Sequence, residues 1–302
     1  MLQPDKLSGA LLCVSPGVDN QNMHKNEKTK SIKAEGAMID LHCHILPGID
    51  DGSPDLLTSL EMARMSVDDG VVVLACTPHI YPGLYENSAS GIRSSMDALA
   101  DEFQKNDIQL RLIEGADVHA APELIAQLKA GQVPTLNNTR YFLLEPPHNV
   151  APPRFESYVF SLLAAGYTPI ITHPERLKWI EDNYSIFVEL VRQGAWMQIT
   201  SGSLCGRFGS RARYWAERML DEAVVHILAS DGHGIKKRPP LLSEGKQMAE
   251  KWIGKEEAEK MVWTRPLGII NNEEPGLFEV EGRLSSGKKI KKKGLFSYLF
   301  RK

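Results

Sequence analysis

The chain has 302 residues, 42% of them hydrophobic and 24% charged, a balance that excludes a disordered, collagen-like or membrane-bundle polypeptide and admits one large core or two small domains. A net charge of −3 leaves no overall basic excess for nucleic acid. The charge is uneven, however: Lys288, Lys289, Lys291, Lys292, Lys293, Arg301 and Lys302 make 288–302 a basic tail without an acid, on an otherwise acidic body.

Residues 1–37 are polar and lack periodicity, so they read as a flexible N-terminal extension, and Met38 is itself a candidate start. Leu7–Val14 is signal-like, but Ser15, Pro16 and Gly17 follow it rather than a small-residue cleavage site. No apolar run approaches the roughly 20 residues that span a bilayer. Cys13, Cys43, Cys76 and Cys205 form no C-x-x-C pair, which argues against a disulfide framework and a zinc ribbon. A reduced, cytoplasmic setting is expected.

From Met38 onward, aliphatic runs alternate with helical patterns. Strands are predicted at 38–42, 71–77, 109–115, 141–144, 168–172, 197–200 and 224–229, with helices at about 55–69, 88–105, 121–130, 153–165, 182–193, 208–221 and 241–252. Such alternation predicts parallel strands with right-handed crossovers, hence a doubly wound sheet or a closed barrel. The pattern fades after Trp263, and the remainder to 302 reads as linker and basic-aromatic tail.

The polar residues decide between sheet and barrel. His42 and His44, then Asp51, follow the first strand; His79 follows the second; Asp117 the third; Glu145 ends the fourth; His173 follows the fifth; Asp231 and His233 the seventh. In a parallel barrel all strand C-termini open on one face, so these residues converge. His-x-His on an extended segment points both rings to one side. Imidazoles with carboxylates suit Zn, Mn or Fe(II) at a hydrolytic centre. Nine ligands exceed what one ion needs, and two or three ions fit better; such clusters bind phosphate oxygens and lower the pKa of a bridging water. Arg176 and Arg238 stand nearby and can fork onto phosphate. His119, His148 and His226 read as packed or surface imidazoles.

A rival lies in Cys205-Gly206-Arg207-Phe208-Gly209-Ser210-Arg211, which matches C-x5-R, the phosphate loop of cysteine-dependent tyrosine phosphatases. It has two fixed positions and leaves the metal set unexplained. Gly206 and Gly209 read instead as shaping a loop beside the pocket, where Arg207 or Arg211 meets substrate.

Met38-Ile39-Asp40-Leu41-His42-Cys43-His44-Ile45-Leu46-Pro47-Gly48-Ile49-Asp50-Asp51-Gly52, with Thr77-Pro78-His79, Gly115-Ala116-Asp117, Leu144-Glu145, Thr172-His173-Pro174-Glu175-Arg176 and Ser230-Asp231-Gly232-His233, resembles the bacterial metal-dependent protein-tyrosine phosphatases of the polymerase-and-histidinol-phosphatase (PHP) superfamily, associated with capsule and exopolysaccharide biosynthesis. The likeness covers about 38–265. It implies an α/β fold, a distorted seven-stranded parallel (β/α) barrel, and a trinuclear centre, Mn foremost with Fe or Zn as alternatives. Carried over, His42, His44 and Asp231 hold one metal; Glu145 and His173 a second; Asp51, His79 and His233 a third; Asp117 bridges the first two. Arg176 and Arg238 match phosphate-binding arginines. The bridge is often Glu in such proteins, and Asp117 is shorter. The implied substrate is a phosphotyrosine protein, a membrane-bound tyrosine autokinase. Two alternatives share these residues: a small-molecule phosphatase of the histidinol-phosphate kind, and a non-catalytic scaffold in polysaccharide assembly. The cations and apolar residues of 288–302 suit peripheral contact with an anionic membrane at the inner face.

Overall fold

The structure is a computed structural model that describes residues 36–278 and 280; the expected N-terminal extension through residue 35 and the basic tail 288–302 lie outside the described residues. Nine strands are found in it: β1 Met38–Cys43, β2 Val71–Cys76, β3 His79–Ile80, β4 Arg111–Glu114, β5 Asp117–His119, β6 Tyr141–Glu145, β7 Thr168–Thr172, β8 Trp196–Thr200 and β9 Ile227–Ala229. They form two parallel sheets, one of three strands in the order β1-β2-β4 and one of six in the order β3-β5-β6-β7-β8-β9. Parallel strands are covered on both faces, which is why β1 and β6 to β9 are buried at every position.

Seven strands were expected, and the count is corrected here. The second and third runs are each followed by a further short strand, β3 after Thr77-Pro78 and β5 after Gly115-Ala116. Pro78 has no N–H for a ladder, so pairing lapses there. The backbone carries on across the breaks: Thr77 N donates to Cys43 O at 3.0 Å and Asp117 N to Pro78 O at 3.1 Å. At the far edge, Asp231 N donates to His42 O and His44 N to Gly232 O, both at 2.8 Å, so the residues after β9 lie beside β1.

Helices fill most predicted places. Leu56–Asp68 starts where the Asp55 carboxylate accepts from Thr58 N at 2.8 Å, and Ala89–Lys105 starts on the Ser88 hydroxyl, both satisfying orphan donors of a first turn. Leu124–Lys129, Phe155–Ala164, Ile180–Gln193, Gly209–Asp221 and Ser243–Ile253 follow. Packed structure continues past residue 265, where linker was expected: Arg265–Ile270 is a helix whose Ile269 and Ile270 join a core cluster with Tyr141, Leu143, Ile170, Trp196 and Ile227. Tyr141 and Leu143 repeat with period two, and Glu145 continues that face beyond the cluster. Among the described residues no helix is long and apolar enough to cross a membrane.

His226 shows what this end of the core demands. It is buried, its Nδ1 accepts from Met197 N at 3.1 Å, and its ring stacks on Trp196 with centroids 4.8 Å apart. Burial, reinforced by the Arg265 guanidinium, lowers its pKa from 6.5 to about 3. The unfolded chain therefore takes up a proton below pH 6.5 that the folded chain refuses down to about pH 3. Stability is intact above that window and falls with pH inside it, by about 1.4 kcal/mol per pH unit. His226→Gln should remove about 2 kcal/mol of the loss between pH 7 and pH 5 in denaturant unfolding. Equal losses in both proteins would contradict this.

Candidate metal centre

The strand ends deliver the predicted side chains to one place. The register of β1 shifts between Asp40 and Cys43, the stretch that holds Leu41 and His42; Ile39 and Leu41 pack in the smaller core cluster, and His42 and His44 meet at their Nε2 atoms. Such irregularities re-aim side chains beside functional sites. His42 Nε2, His44 Nε2 and Asp231 Oδ1 are mutually 3.1, 3.3 and 3.5 Å apart. Around Asp117 Oδ2 lie His42 Nε2 at 3.5 Å, His79 Nδ1 at 3.6 Å and His173 Nε2 at 3.8 Å. Glu145 approaches His79 at 3.4 Å and His173 at 3.6 Å, and Asp51 Oδ1 approaches His79 at 3.4 Å and His233 at 3.5 Å. All nine sequence-predicted ligands are thus together.

Several of these atoms are buried without a hydrogen-bond partner: Asp117 Oδ2, Asp231 Oδ1, His79 Nδ1 and His233 Nε2. An orphaned buried carboxylate oxygen is costly, so this arrangement needs another occupant. Ligand atoms about 2.1 Å from a shared ion at tetrahedral angles lie about 3.4 Å apart, and the separations here run from 3.1 to 3.8 Å, most of them longer than a good hydrogen bond. Four-atom and three-atom donor groups recur, each within 4.8 Å: His44, Asp51, His79 and His233; His42, His173 and Asp231; His42, His44 and Asp117; His79, Asp117 and Glu145. The residues fit divalent metal ions.

Electrostatics agree. Burial disfavours a charged His42, but Asp231 and Asp117 outweigh it and raise its pKa to about 9. His79, also buried, is raised to about 10 by Glu145, Asp117 and Asp51. Burial and the neighbouring rings of His233, His79 and His42 hold His44 well below the imidazole range, and burial with Arg176 lowers His173 to about 4. Burial opposes ionisation of Asp231, yet Arg238, His42 and Arg176 keep its carboxyl far below the usual range. The carboxylates are what raise the two imidazoles, and their clustered negative charge favours bound cations.

The backbone is committed to this geometry. His173 and Asp231 take left-handed conformations, φ +36° and +51°, which cost non-glycine residues about 1–3 kcal/mol each. Gly52 is required for space: a Cβ there would lie 2.2 Å from His44 O.

The supporting role of Asp50, which stands beside Asp51 after the first strand, and Gln198 altogether were missed in the sequence. His44 Nδ1 lies 2.7 Å from Asp50 Oδ2, which also accepts from His79 N, and His42 Nδ1 lies 2.8 Å from Gln198 Oε1. Both contacts fix ring orientation. A lone Gln in the otherwise apolar or hydroxylic run Trp196–Thr200 was the available signal. His148, set aside as a packed or surface imidazole, sits 3.2 Å from Glu145 in the group Glu145, His148, His173, and His119 stacks on Tyr81 at 3.8 Å with its Nδ1 3.9 Å from Glu145. Asp50→Ala should weaken metal binding by about 10–100-fold, read by competition against a chromogenic chelator. An unchanged affinity would remove Asp50 from the site.

Arg176 Nη1 and Arg238 Nη2 both donate to Asp231 Oδ2, Arg238 at 2.6 Å. The cysteine rival fares differently. Burial and then Glu244 push the Cys205 thiol upward, away from a thiolate. Arg207 pairs with Glu244, and Arg211 donates to the Leu177 and Lys178 carbonyls at 2.8 and 3.0 Å. Neither of them faces the pocket as a free guanidinium.

The model of the family described as capsular polysaccharide synthesis, CpsB/CapC, matches residues 38–271. The tyrosine-protein phosphatase YwqE of Bacillus subtilis is 39% identical over 219 residues, 72% of this chain and 86% of that protein. The tyrosine-protein phosphatase CpsB of Streptococcus agalactiae is 30% identical over 244 residues, 78% of this chain and 99% of that protein. Among solved structures, a chain of the metal-dependent tyrosine phosphatases YwqE of Bacillus subtilis and CpsB of Streptococcus pneumoniae superposes with a TM-score of 0.75 at 37% identity, covering 78% of this chain and 96% of that one.

Proposed function

This chain belongs to the CpsB/CapC family of capsular polysaccharide synthesis, and on that premise we propose that it is a metal-dependent protein-tyrosine phosphatase acting on a membrane-bound tyrosine autokinase of exopolysaccharide synthesis. The observation that carries the reading is the convergence of five imidazoles and four carboxylates with two arginines anchored on one of those carboxylates.

His42, His44 and Asp231 would hold one ion, Glu145 and His173 a second, and Asp51, His79 and His233 a third, with Asp117 as a ligand that the first two would share. Mn is the foremost candidate, with Fe and Zn as alternatives, since imidazole with carboxylate suits all three. When bound, such ions polarise phosphate oxygens and activate water for in-line displacement. Arg176 and Arg238 supply fixed donors to the equatorial oxygens, where charge accumulates in the transition state. The phenolate leaving group needs little protonation, because tyrosine's pKa is about 10. Asp50 and Gln198 keep the His44 and His42 rings aimed at the cluster.

We also read the strands as a distorted seven-stranded barrel of the PHP type, with β2 running on into β3 and β4 into β5. Support comes from the hydrogen bonds that place Asp231 and Gly232 beside His42 and His44. A cytoplasmic enzyme at the inner membrane face completes the proposal, residues 288–302 making the contact. Sedimentation with anionic vesicles should fall when 288–302 is removed; unchanged binding would sink the membrane contact alone.

Turnover of phosphotyrosine peptides, histidinol phosphate and other small phosphate esters by the full chain tests the substrate class. Preference for the peptides by kcat/KM is expected. Preference for histidinol phosphate would favour a small-molecule phosphatase, and absence of turnover with metal bound would favour a scaffold.

A further inference from the structure

The motif Cys205–Arg211 has no part in the chemistry above, yet its loop is built with care. Gly206 and Gly209 take φ +82° and +84°, which brings Gly209 N to Gly206 O at 3.0 Å and Arg207 N to Gly202 O at 2.8 Å. Arg207 ties the loop to Glu244, and Arg211 ties it to two backbone carbonyls. Held between the glycines is Phe208, half-buried, its ring so close to Gly202 that a Cβ there would meet Phe208 Cε2 at 3.0 Å.

The ring faces the two arginines. Arg176 Cζ lies 4.4 Å from its centroid and Arg238 Cζ 5.9 Å, both within the roughly 6 Å reach of a cation–π contact. These two cations converge on a single carboxylate oxygen, Asp231 Oδ2, whose other oxygen faces His42, His44 and His233. One carboxylate shared in this way only partly balances two guanidiniums, and the neighbouring Glu175 carboxylate is engaged by Thr200 N and Ser203 Oγ. An additional acid would hold them, but it would also neutralise the charge that a phosphate dianion needs. An aromatic face attracts a cation through its quadrupole and brings no net negative charge.

We propose that Phe208 is a positioning residue that seats the Arg176 and Arg238 guanidiniums against its ring, so that both stay oriented and under-neutralised for the substrate's phosphate. The inference rests on the reading of these arginines as phosphate-binding. Phe208 acts through them and makes no claim on the reacting atoms.

The test uses the metal-loaded full chain, the variants Phe208→Leu, Phe208→Trp, Arg176→Ala and Arg238→Ala, and inorganic phosphate as the competing probe. Phe208→Leu should raise the phosphate inhibition constant and the KM for a phosphotyrosine peptide by about 3–10-fold, with kcat within about twofold and metal content unchanged. Phe208→Trp, which keeps a π face, should restore both to within about twofold. If Phe208→Leu leaves phosphate inhibition unchanged while the arginine variants weaken it, Phe208 has no positioning role. If Leu and Trp are equally impaired and both melt earlier, the ring merely packs the loop, and the proposal falls. If the arginine variants themselves leave phosphate inhibition unchanged, the phosphate-binding reading fails first and takes this inference with it.

Discussion

Asp117→Asn should lower kcat on a phosphotyrosine peptide by on the order of 10³-fold, the scale on which removing a group that stabilises developing charge is felt. Asp117 sits at the centre of the cluster: its Oδ2 is near three imidazoles, is wholly buried and has no hydrogen-bond donor, while Oδ1 accepts from Thr172 Oγ1 at 3.3 Å. Asn keeps the volume, so no cavity opens, but it loses the charge and half the acceptor capacity. Bound metal should fall with activity. In chelator the variant should melt lower than the parent near neutral pH, because burial and Glu145 are outweighed by His42 and His173, which favour the ionised carboxylate in the metal-free fold. Turnover within about tenfold of the parent would contradict a central role for Asp117.

Replacing Arg176 or Arg238 with Ala should cost about 10²-fold in kcat/KM each, by removing charge-assisted donors to the phosphate. The double variant should lose less than the product of the two, since both side chains share Asp231 Oδ2 and removing one already frees the carboxylate. Lys should not rescue either position, because an ammonium lacks the planar fork that reaches carboxylate and phosphate together. Lys variants with full activity would reduce both residues to generic positive charge.

Much of this site was legible because a parallel strand is an apolar run and a polar residue at its end stands out. His42, Glu145, His173 and Asp231 each follow such a run, and the barrel rule turns a sequence pattern into a common mouth. The short strands β3 and β5 were not legible, since pairing depends on the neighbouring strand's register as well as on local propensity. The packed stretch past residue 265 escaped for a related reason: it ends a continuous helical run, 255–270, in which the π-helical turn Lys260–Thr264 interrupts the 3.6-residue period and Pro266 reads as a breaker. His148 and His119 were set aside as solitary imidazoles, though each lies within reach of Glu145. Phe208 was hidden inside a motif whose cysteine and arginine drew the eye, while the contact that matters is its ring against Arg176.

Elemental analysis of the purified full chain, followed through chelation and metal add-back with phosphotyrosine-peptide turnover recorded at each stage, tests the metal cluster most directly. Two to three equivalents of Mn, Fe or Zn are expected, with activity lost on chelation, regained on add-back, and indifferent to Cys205→Ser. Full turnover by metal-free protein, abolished by Cys205→Ser, would contradict the cluster and return the chemistry to the cysteine loop.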